Sequence, residues 1–355
     1  MINMNHVLLD NHLYRKEDLA NINMIVDTDM SEYMIDIFNF LQKWFDDNDF
    51  ITVHTSGSTG IPKNISLSKR LMRESAKATL KFFDLKAGDA ALLCLSANYI
   101  AGKMMIVRAI EGGLRLFTVK PEKIIHIPHS QCFRFSAMVP LQVEETIKAL
   151  GSKAFDSIEN LIIGGSAVPE SLEEKLQSLS SCCYATYGMT ETASHVALKR
   201  LNQKTESSNV YAALSGITFS QDERGCLVIN APLLLKEPLV TNDIIELVSE
   251  NRFVWKGRFD FVVNSGGLKL FPELIEKKIS FLISRPFYLS KRNSETYGEE
   301  LVLVIEGNPF TCAQEKSLRK QFDSVLSKYE KPKQILYIPT FKYSISGKLL
   351  RRVFP

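Results

Sequence analysis

No apolar stretch of this 355-residue chain is long enough to span a bilayer, and its start lacks the charged-then-apolar pattern of a signal peptide. These absences argue against membrane insertion and make the cytoplasm the expected compartment. No basic run reads as a nucleic-acid or membrane patch, and 43 Lys and Arg against 40 Asp and Glu leave a formal charge of only +3. Cysteine is sparse. Cys94, Cys132, Cys182, Cys183, Cys226 and Cys312 are scattered, mostly in apolar context, and none has Cys-x-x-Cys spacing, so buried free thiols are expected in place of disulfides or zinc. His54, His126 and His129 have no metal spacing and read as packing or surface residues. With no internal repeat or low-complexity tract, what remains is an ordinary globular composition, 45% hydrophobic and 23% charged, on a chain long enough for about two domains.

What is present centres on residues 51–63. Ile51-Thr-Val-His is β-branched and strand-like, and it runs into Thr55-Ser-Gly-Ser-Thr-Gly-Ile-Pro-Lys63. Glycines allow successive backbone N–H groups to face one concavity that binds anions. Thr55, Ser56, Ser58 and Thr59 add rotatable donors, and Lys63 adds a point charge suited to phosphate. The stretch is not a Walker A loop, because Ile61 and Pro62 separate Gly60 from Lys63. A flexible Ser/Gly surface turn is the alternative; the hydroxyl density and the closing Pro-Lys favour a nucleotide-phosphate loop.

The flanking chain alternates helix and strand. A short lead-in precedes a helix from Ser31 to Asp46, with Ser31 as N-cap. Ser68–Phe83 reads as an amphipathic helix and Ala90–Leu95 as a strand buried on both faces. Asn98–Ala109 follows as a glycine-marked turn leading into an apolar helix, then a strand at Leu114–Val119, a strand at Phe135–Pro140, a helix at Leu141–Leu150 and a strand at Asn160–Gly165. The pattern predicts an α/β fold with a largely parallel sheet. On the Asn98–Ala109 helix, Lys103 reads as a snorkelling surface cation. Arg108 lies deeper, where a buried guanidinium calls for an anionic partner such as a carboxylate.

Two further segments bear on chemistry. Gly164-Gly165-Ser166 ends a strand and exposes backbone to a flat ligand, or is an ordinary strand–helix turn. Tyr184-Ala-Thr-Tyr-Gly-Met-Thr-Glu-Thr-Ala-Ser194 places a short strand before a helical start at Met189. There Tyr187 can stack on a purine, Thr190 can reach a phosphate, and Glu191 is a hard oxygen ligand for Mg²⁺, or simply an acid favoured by a helix dipole. The last 95 residues read as helix Pro272–Leu282, strand Leu301–Glu306, helix Thr311–Leu326 and strand Gln334–Pro339, the pattern of a small α+β module.

The 55–63 loop, Tyr-Gly-Met-Thr-Glu, Trp255-Lys-Gly-Arg-Phe-Asp260 and the terminal Ser346-Gly-Lys348 stand in the order found in the adenylate-forming superfamily, which the chain resembles from about residue 51 to 351. The resemblance implies a large N-terminal α/β domain (1–256), a hinge (257–260) and a small mobile C-terminal α+β domain (261–355). It implies ATP, Mg²⁺ and CoA as ligands: residues 55–60 and Lys63 on phosphates, with Gly164, Gly165, Ser166, Thr186, Tyr187, Gly188 and Met189 about the adenine and nucleotide. It further implies Asp243 and Arg258 on ribose, Thr190 and Glu191 with the phosphates and Mg²⁺, and Lys348 as the adenylation lysine. Asp260 would be the hinge, and Gly266 and Gly267 would border the CoA channel. Within the superfamily, residues 187–197 look most like the o-succinylbenzoate–CoA ligases of menaquinone biosynthesis, which place a basic residue where Arg108 stands. Tyr99, Arg108, Ser194 and His195 would then meet the acid. Departures are Asn242 for a glycine before Asp243, Tyr99 for a histidine, His195 for a Gln or Thr, and only 54 residues ahead of a loop that full-length members precede with a larger subdomain. The implied partners are a small-molecule acid, ATP and CoA, with no nucleic acid and no membrane insertion; homo-oligomerisation is left open. Another acid–thiol ligase, a carrier-protein-loading adenylation enzyme, or a non-catalytic nucleotide-binding relative are the alternatives; the pairing of Glu191 with Lys348 speaks against the last.

Overall fold

The computed structural model describes residues 5–19, 30–55, 63–203, 209–343, 349–352 and 354, with the backbone alone at His54, Thr55 and Lys63. The lead-in is more than a lead-in. β1 (His6–Leu9) and β2 (His12–Arg15) form a hairpin, turned at Asp10 and Asn11, both in the left-handed region (φ 46° and 65°), as a tight two-residue turn requires. After one helical turn, α1 (Lys16–Leu19), comes α2 (Glu32–Phe45), with Ser31 at its N-cap as expected. β3 (Phe50–Thr55) pairs with β4 (Lys63–Ser68) as a separate antiparallel ribbon, in which Thr55 stands opposite Lys63. Ser68 then caps α3 (Lys69–Phe82) by accepting the Leu71 N–H at 3.1 Å.

The predicted alternation follows, with ends shifted by a few residues: β5 (Ala90–Leu93), α4 (Ile100–Gly112), β6 (Arg115–Thr118), β7 (Phe133–Met138), α5 (Pro140–Leu150), β8 (Ile158–Ile163), α6 (Glu170–Leu176) and β9 (Cys182–Gly188). In β5, Ala91 and Leu93 join the core under α2, α3 and α4, while Ala90 and Leu92 join the core under α5 and α6. That period-2 split is why a strand buried on both faces reads as one continuous apolar run.

The sheet is only half parallel, which corrects the sequence expectation. Strands β1, β6, β5, β7, β8 and β9 run parallel in that spatial order. Beyond β9 the thirteen-stranded sheet continues antiparallel through β10 (His195–Arg200), β11 (Tyr211–Ala213), β15 (Arg252–Arg258), β14 (Leu239–Ser249), β13 (Cys226–Asn230) and β12 (Thr218–Gln221). A second sheet holds β16 (Val263–Ser265), β17 (Leu268–Leu270), β18 (Phe287–Ser294), β19 (Gly298–Glu306) and β20 (Gln334–Ile338), packed with α7 (Pro272–Ile279) and α8 (Cys312–Val325) around its own apolar core. This is the expected class: a large α/β body followed by a small α+β body.

Two other expectations change. Cys94, Cys183 and Cys226 are buried free thiols, but Cys132 and Cys312 are exposed and Cys182 is intermediate. Lys103 does not snorkel: its ammonium turns back to donate to the Ala97 carbonyl and lies 5.5 Å from the Phe40 ring centroid, and burial lowers its pKa to about 8. His126 and His129 are exposed, as expected of surface residues. No helix among the described residues is long and apolar enough to cross a membrane.

Candidate active site

Ligands of open α/β sheets bind beyond the carboxyl ends of the strands, and the candidates at 164–166 and 186–191 stand at the ends of β8 and β9. Gly164 and Gly165 follow β8, and Thr186 on neighbouring β9 donates to the Ile163 carbonyl at 3.4 Å. Gly188 ends β9 where the sheet turns antiparallel. A Cβ on Gly188 would stand 2.4 Å from the Ser194 carbonyl oxygen, so only glycine lets β10 return this closely. The segment between does not begin a helix. Thr190–Thr192 is one 3₁₀ turn, closed by the Met189 N–H on Thr192 Oγ1 at 3.2 Å, and Ala193 (φ 59°) sends the chain back into β10. Glu191 sits exposed on that turn, so a helix dipole does not account for it.

The ribose candidates form one cluster. β14 and β15 place Asp243 directly opposite Arg258. The buried Asp243 carboxylate accepts the Tyr187 hydroxyl at 2.7 Å and the Trp255 indole N–H at 3.2 Å, with Arg258 Nε 4.0 Å away. Burial, then the Asp243 charge, raise the Tyr187 phenol well above its usual range, so Tyr187 is a permanent donor. Its ring packs edge-on to Phe253, 5.1 Å between centroids. Asn242, standing where the resemblance has glycine, accepts from Arg224 Nη1 at 3.0 Å; that guanidinium also lies 5.1 Å from the ring of Phe259. Arg258 reaches Asp260, on the Phe259–Phe261 turn, at 3.0 Å.

The acid candidates form the second cluster. Arg108 is 2% exposed on α4 and has no carboxylate partner among the described residues. Nη2 donates to Ser194 Oγ at 2.5 Å, Nη1 lies 3.7 Å from Met105 Sδ, and Nε has no partner. Ser194 Oγ is 3.2 Å from His195 Nδ1, His195 Nε2 is 3.3 Å from Thr79 Oγ1, and Thr79 donates to the Ser75 carbonyl at 3.3 Å. Thr79 gives its one hydroxyl proton to the Ser75 carbonyl, so Nε2–H donates to Thr79, and in a neutral ring Nδ1 then accepts from Ser194, whose oxygen takes the Arg108 donor. Burial, then the Arg108 charge, push the His195 pKa well below its usual value, so the ring is the neutral Nε2–H tautomer. Tyr99, the N-cap of α4, is 59% exposed and stands apart from this chain.

Gly266 and Gly267 make the turn between β16 and β17, Gly266 donating to the Tyr297 carbonyl at 2.9 Å. Among the described residues no hydrogen bond or ion pair ties them to either cluster. Ser56, Gly57, Ser58, Thr59, Gly60 and Lys348 lie outside the described residues, as do the side chains of Thr55 and Lys63; Ser166 is exposed beyond β8. Sequence reading missed Thr79, Met105 and Trp255. Ser75 and Thr79 at i, i+4 on an otherwise amphipathic helix were the available signal for the first.

A family model described as AMP-binding enzyme matches residues 11–218. The chain belongs to the AMP-binding enzyme family. A solved structure described as an acyl-CoA synthetase (AMP-forming)/AMP-acid ligase II-like protein from Dyadobacter fermentans is 35% identical, with TM-score 0.63 over 92% of this chain and 94% of that one. The o-succinylbenzoate CoA synthetase of Bacillus subtilis, solved with its acyl-adenylate intermediate, superposes with TM-score 0.72 at 19% identity, covering 84% of this chain and 67% of that one. The 2-succinylbenzoate–CoA ligase of Lactococcus lactis is 24% identical over 86% of this chain and 71% of its own length.

Proposed function

We propose that the protein is an ATP-dependent carboxylate–CoA ligase acting on o-succinylbenzoate. The observation that carries the choice of acid is Arg108: a buried cation with no anion among the described residues, hydrogen-bonded to Ser194, three positions beyond Tyr-Gly-Met-Thr-Glu. A dicarboxylic acid has one carboxylate to activate and one to be held, and a guanidinium fork suits the second. The Bacillus subtilis and Lactococcus lactis relatives carry this substrate in their names, and another Bacillus subtilis neighbour is described in complex with ATP and magnesium ion.

In the proposed first step a carboxylate oxygen of the acid bonds to the α-phosphorus of ATP and pyrophosphate leaves. In the second, the CoA thiol bonds to the acyl carbon, AMP leaves and the thiol proton passes to solvent. Catalysis is chiefly positioning and charge neutralisation. Tyr187 and Asp243 orient the nucleoside, Arg108 and Ser194 orient the acid, and the 55–63 loop and Lys348 meet the phosphates. Mg²⁺ typically needs only one or two protein carboxylates beside phosphate oxygens. The exposed Glu191 fits that demand, and no cluster of three or more His, Cys, Asp or Glu side chains competes for the ion among the described residues. The bound ion neutralises charge on the leaving phosphates. Residues 257–260 are proposed as the hinge about which residues 261–355 turn between the two steps.

Pyrophosphate exchange with a panel of acids tests the reading. Exchange with o-succinylbenzoate and not with benzoate supports it. Exchange confined to monocarboxylic acids would leave a ligase of another acid.

A further inference from the structure

α7 touches both ends of the proposed moving parts. Its Glu276 carboxylate receives the two terminal nitrogens of Arg351 at 2.6 and 2.7 Å and the Leu289 N–H at 2.6 Å. The Arg351 guanidinium also donates to the Leu289 carbonyl at 3.3 Å and lies 4.9 Å from the Phe261 ring, beside Asp260. One turn earlier, Glu273 Oε1 accepts the Arg258 N–H at 3.2 Å on β15. Gly257, at φ 149°, makes room for it: a Cβ there would stand 2.8 Å from Glu273 Oε2. Lys277, on the same helix, reaches Glu173 of α6 at 3.6 Å.

The segment after residue 348 is fastened at several points. Tyr343 bridges Leu349, and Leu350 N–H donates to the Lys342 carbonyl at 2.9 Å. Arg352 N–H donates to the Tyr288 hydroxyl at 3.3 Å, and Ser290 Oγ donates to the Arg352 carbonyl at 2.5 Å. These contacts tie the segment to β18. A buried ion pair adds little net stability beyond them, since desolvation offsets its attraction; burial raises the Glu276 carboxyl to about 7 against the pull of Arg351. What a two-point fork adds is a fixed angle and distance.

We infer that Glu276 and Arg351 are a positioning pair, through which α7 fixes residues 349–352, next in sequence to Lys348, relative to the hinge strand. The inference rests on the reading of Lys348 as the adenylation lysine. It predicts a defect confined to one half-reaction, which loss of stability alone would not produce.

The test uses the full chain with Arg351→Lys, Glu276→Gln and the double variant Glu276→Leu/Arg351→Met. Three readouts are compared: pyrophosphate exchange with o-succinylbenzoate, thioester formation from supplied acyl-adenylate and CoA, and Tm. Exchange kcat should fall about ten- to hundredfold in all three variants, as for a misplacement of order 1 Å, with KM for ATP and thioester formation within about threefold of wild type. The double variant should melt at or above wild type. Equal losses in both half-reactions, or exchange restored in the double variant, would overturn the inference. Amide exchange at Leu350 and Arg352 tests the holding without reference to activity: it should quicken in Glu276→Gln, and unchanged protection would overturn the inference. Wild-type silence with every acid would instead overturn the ligase reading, and the role assigned to the pair with it.

Discussion

Replacing Arg108 by Met separates binding from stability. Burial lowers the Arg108 pKa from 12.5 to about 9, and at about 1.4 kcal/mol per pH unit the charged form bears a desolvation cost on the order of 5 kcal/mol. Against it stand a charge-assisted bond to Ser194, about 1.5–3 kcal/mol, and the Phe135 ring at 5.8 Å, about 1–2 kcal/mol when desolvated. The ligand-free protein therefore gains little from the charge. Met fills much of the same volume, and Ser194 keeps His195 as its acceptor. Denaturant unfolding of ligand-free Arg108→Met should show stability unchanged or raised by up to about 2 kcal/mol. The lost carboxylate contact should cost about 2–4 kcal/mol of binding, a rise of roughly thirty- to nine-hundredfold in KM for o-succinylbenzoate, with KM for ATP unchanged. A ligand-free variant destabilised by more than about 3 kcal/mol would mean that the charge is already paired within the protein. The anchor reading would then fail.

Other expectations follow from the two clusters. Tyr187→Phe removes the hydroxyl on Asp243 and should lower stability by about 1.5–3 kcal/mol and raise KM for ATP, read by denaturation and kinetics; unchanged values would show that the bond is dispensable. His195 has a depressed pKa in the fold, so below the unfolded value of about 6.5 the unfolded chain takes up the proton first. Wild-type stability should therefore fall as pH drops from 7 to 5, by up to about 1.4 kcal/mol per unit, and His195→Gln should flatten that slope. Gly188→Ala should push β10 away from β9 and cost about 1–3 kcal/mol, with KM for the acid rising as Ser194 shifts.

The α/β class and the helices from residue 31 to 150 were legible because each element carries its own period and caps: Ser31 and Ser68 both stand at N-caps. The antiparallel half of the sheet was not. Strands β10–β15 are fixed by pairings such as Asp243 with Arg258 and Ala197 with Tyr187, which no local pattern records. The hairpin at Asp10-Asn11 had a readable turn signal that went unread. Met-Thr-Glu looked like a helix start, but β10 must return beside β9 within a few residues, leaving room for one turn. In the site, the residue types were legible and their partners were not: Arg108 finds Ser194 across 86 positions and Thr79 finds His195 across 116. Long-range contacts set both the His195 tautomer and the choice of a hydroxyl in place of a carboxylate beside Arg108.

The most direct test of the proposed activity is release of AMP and pyrophosphate from ATP with o-succinylbenzoate, measured with and without CoA. The account predicts pyrophosphate release with the acid and turnover to AMP that depends on CoA, with neither from benzoate or a fatty acid. No AMP with o-succinylbenzoate and CoA, under conditions where another acid gives it, would contradict the proposed substrate; no AMP with any acid would contradict the ligase itself.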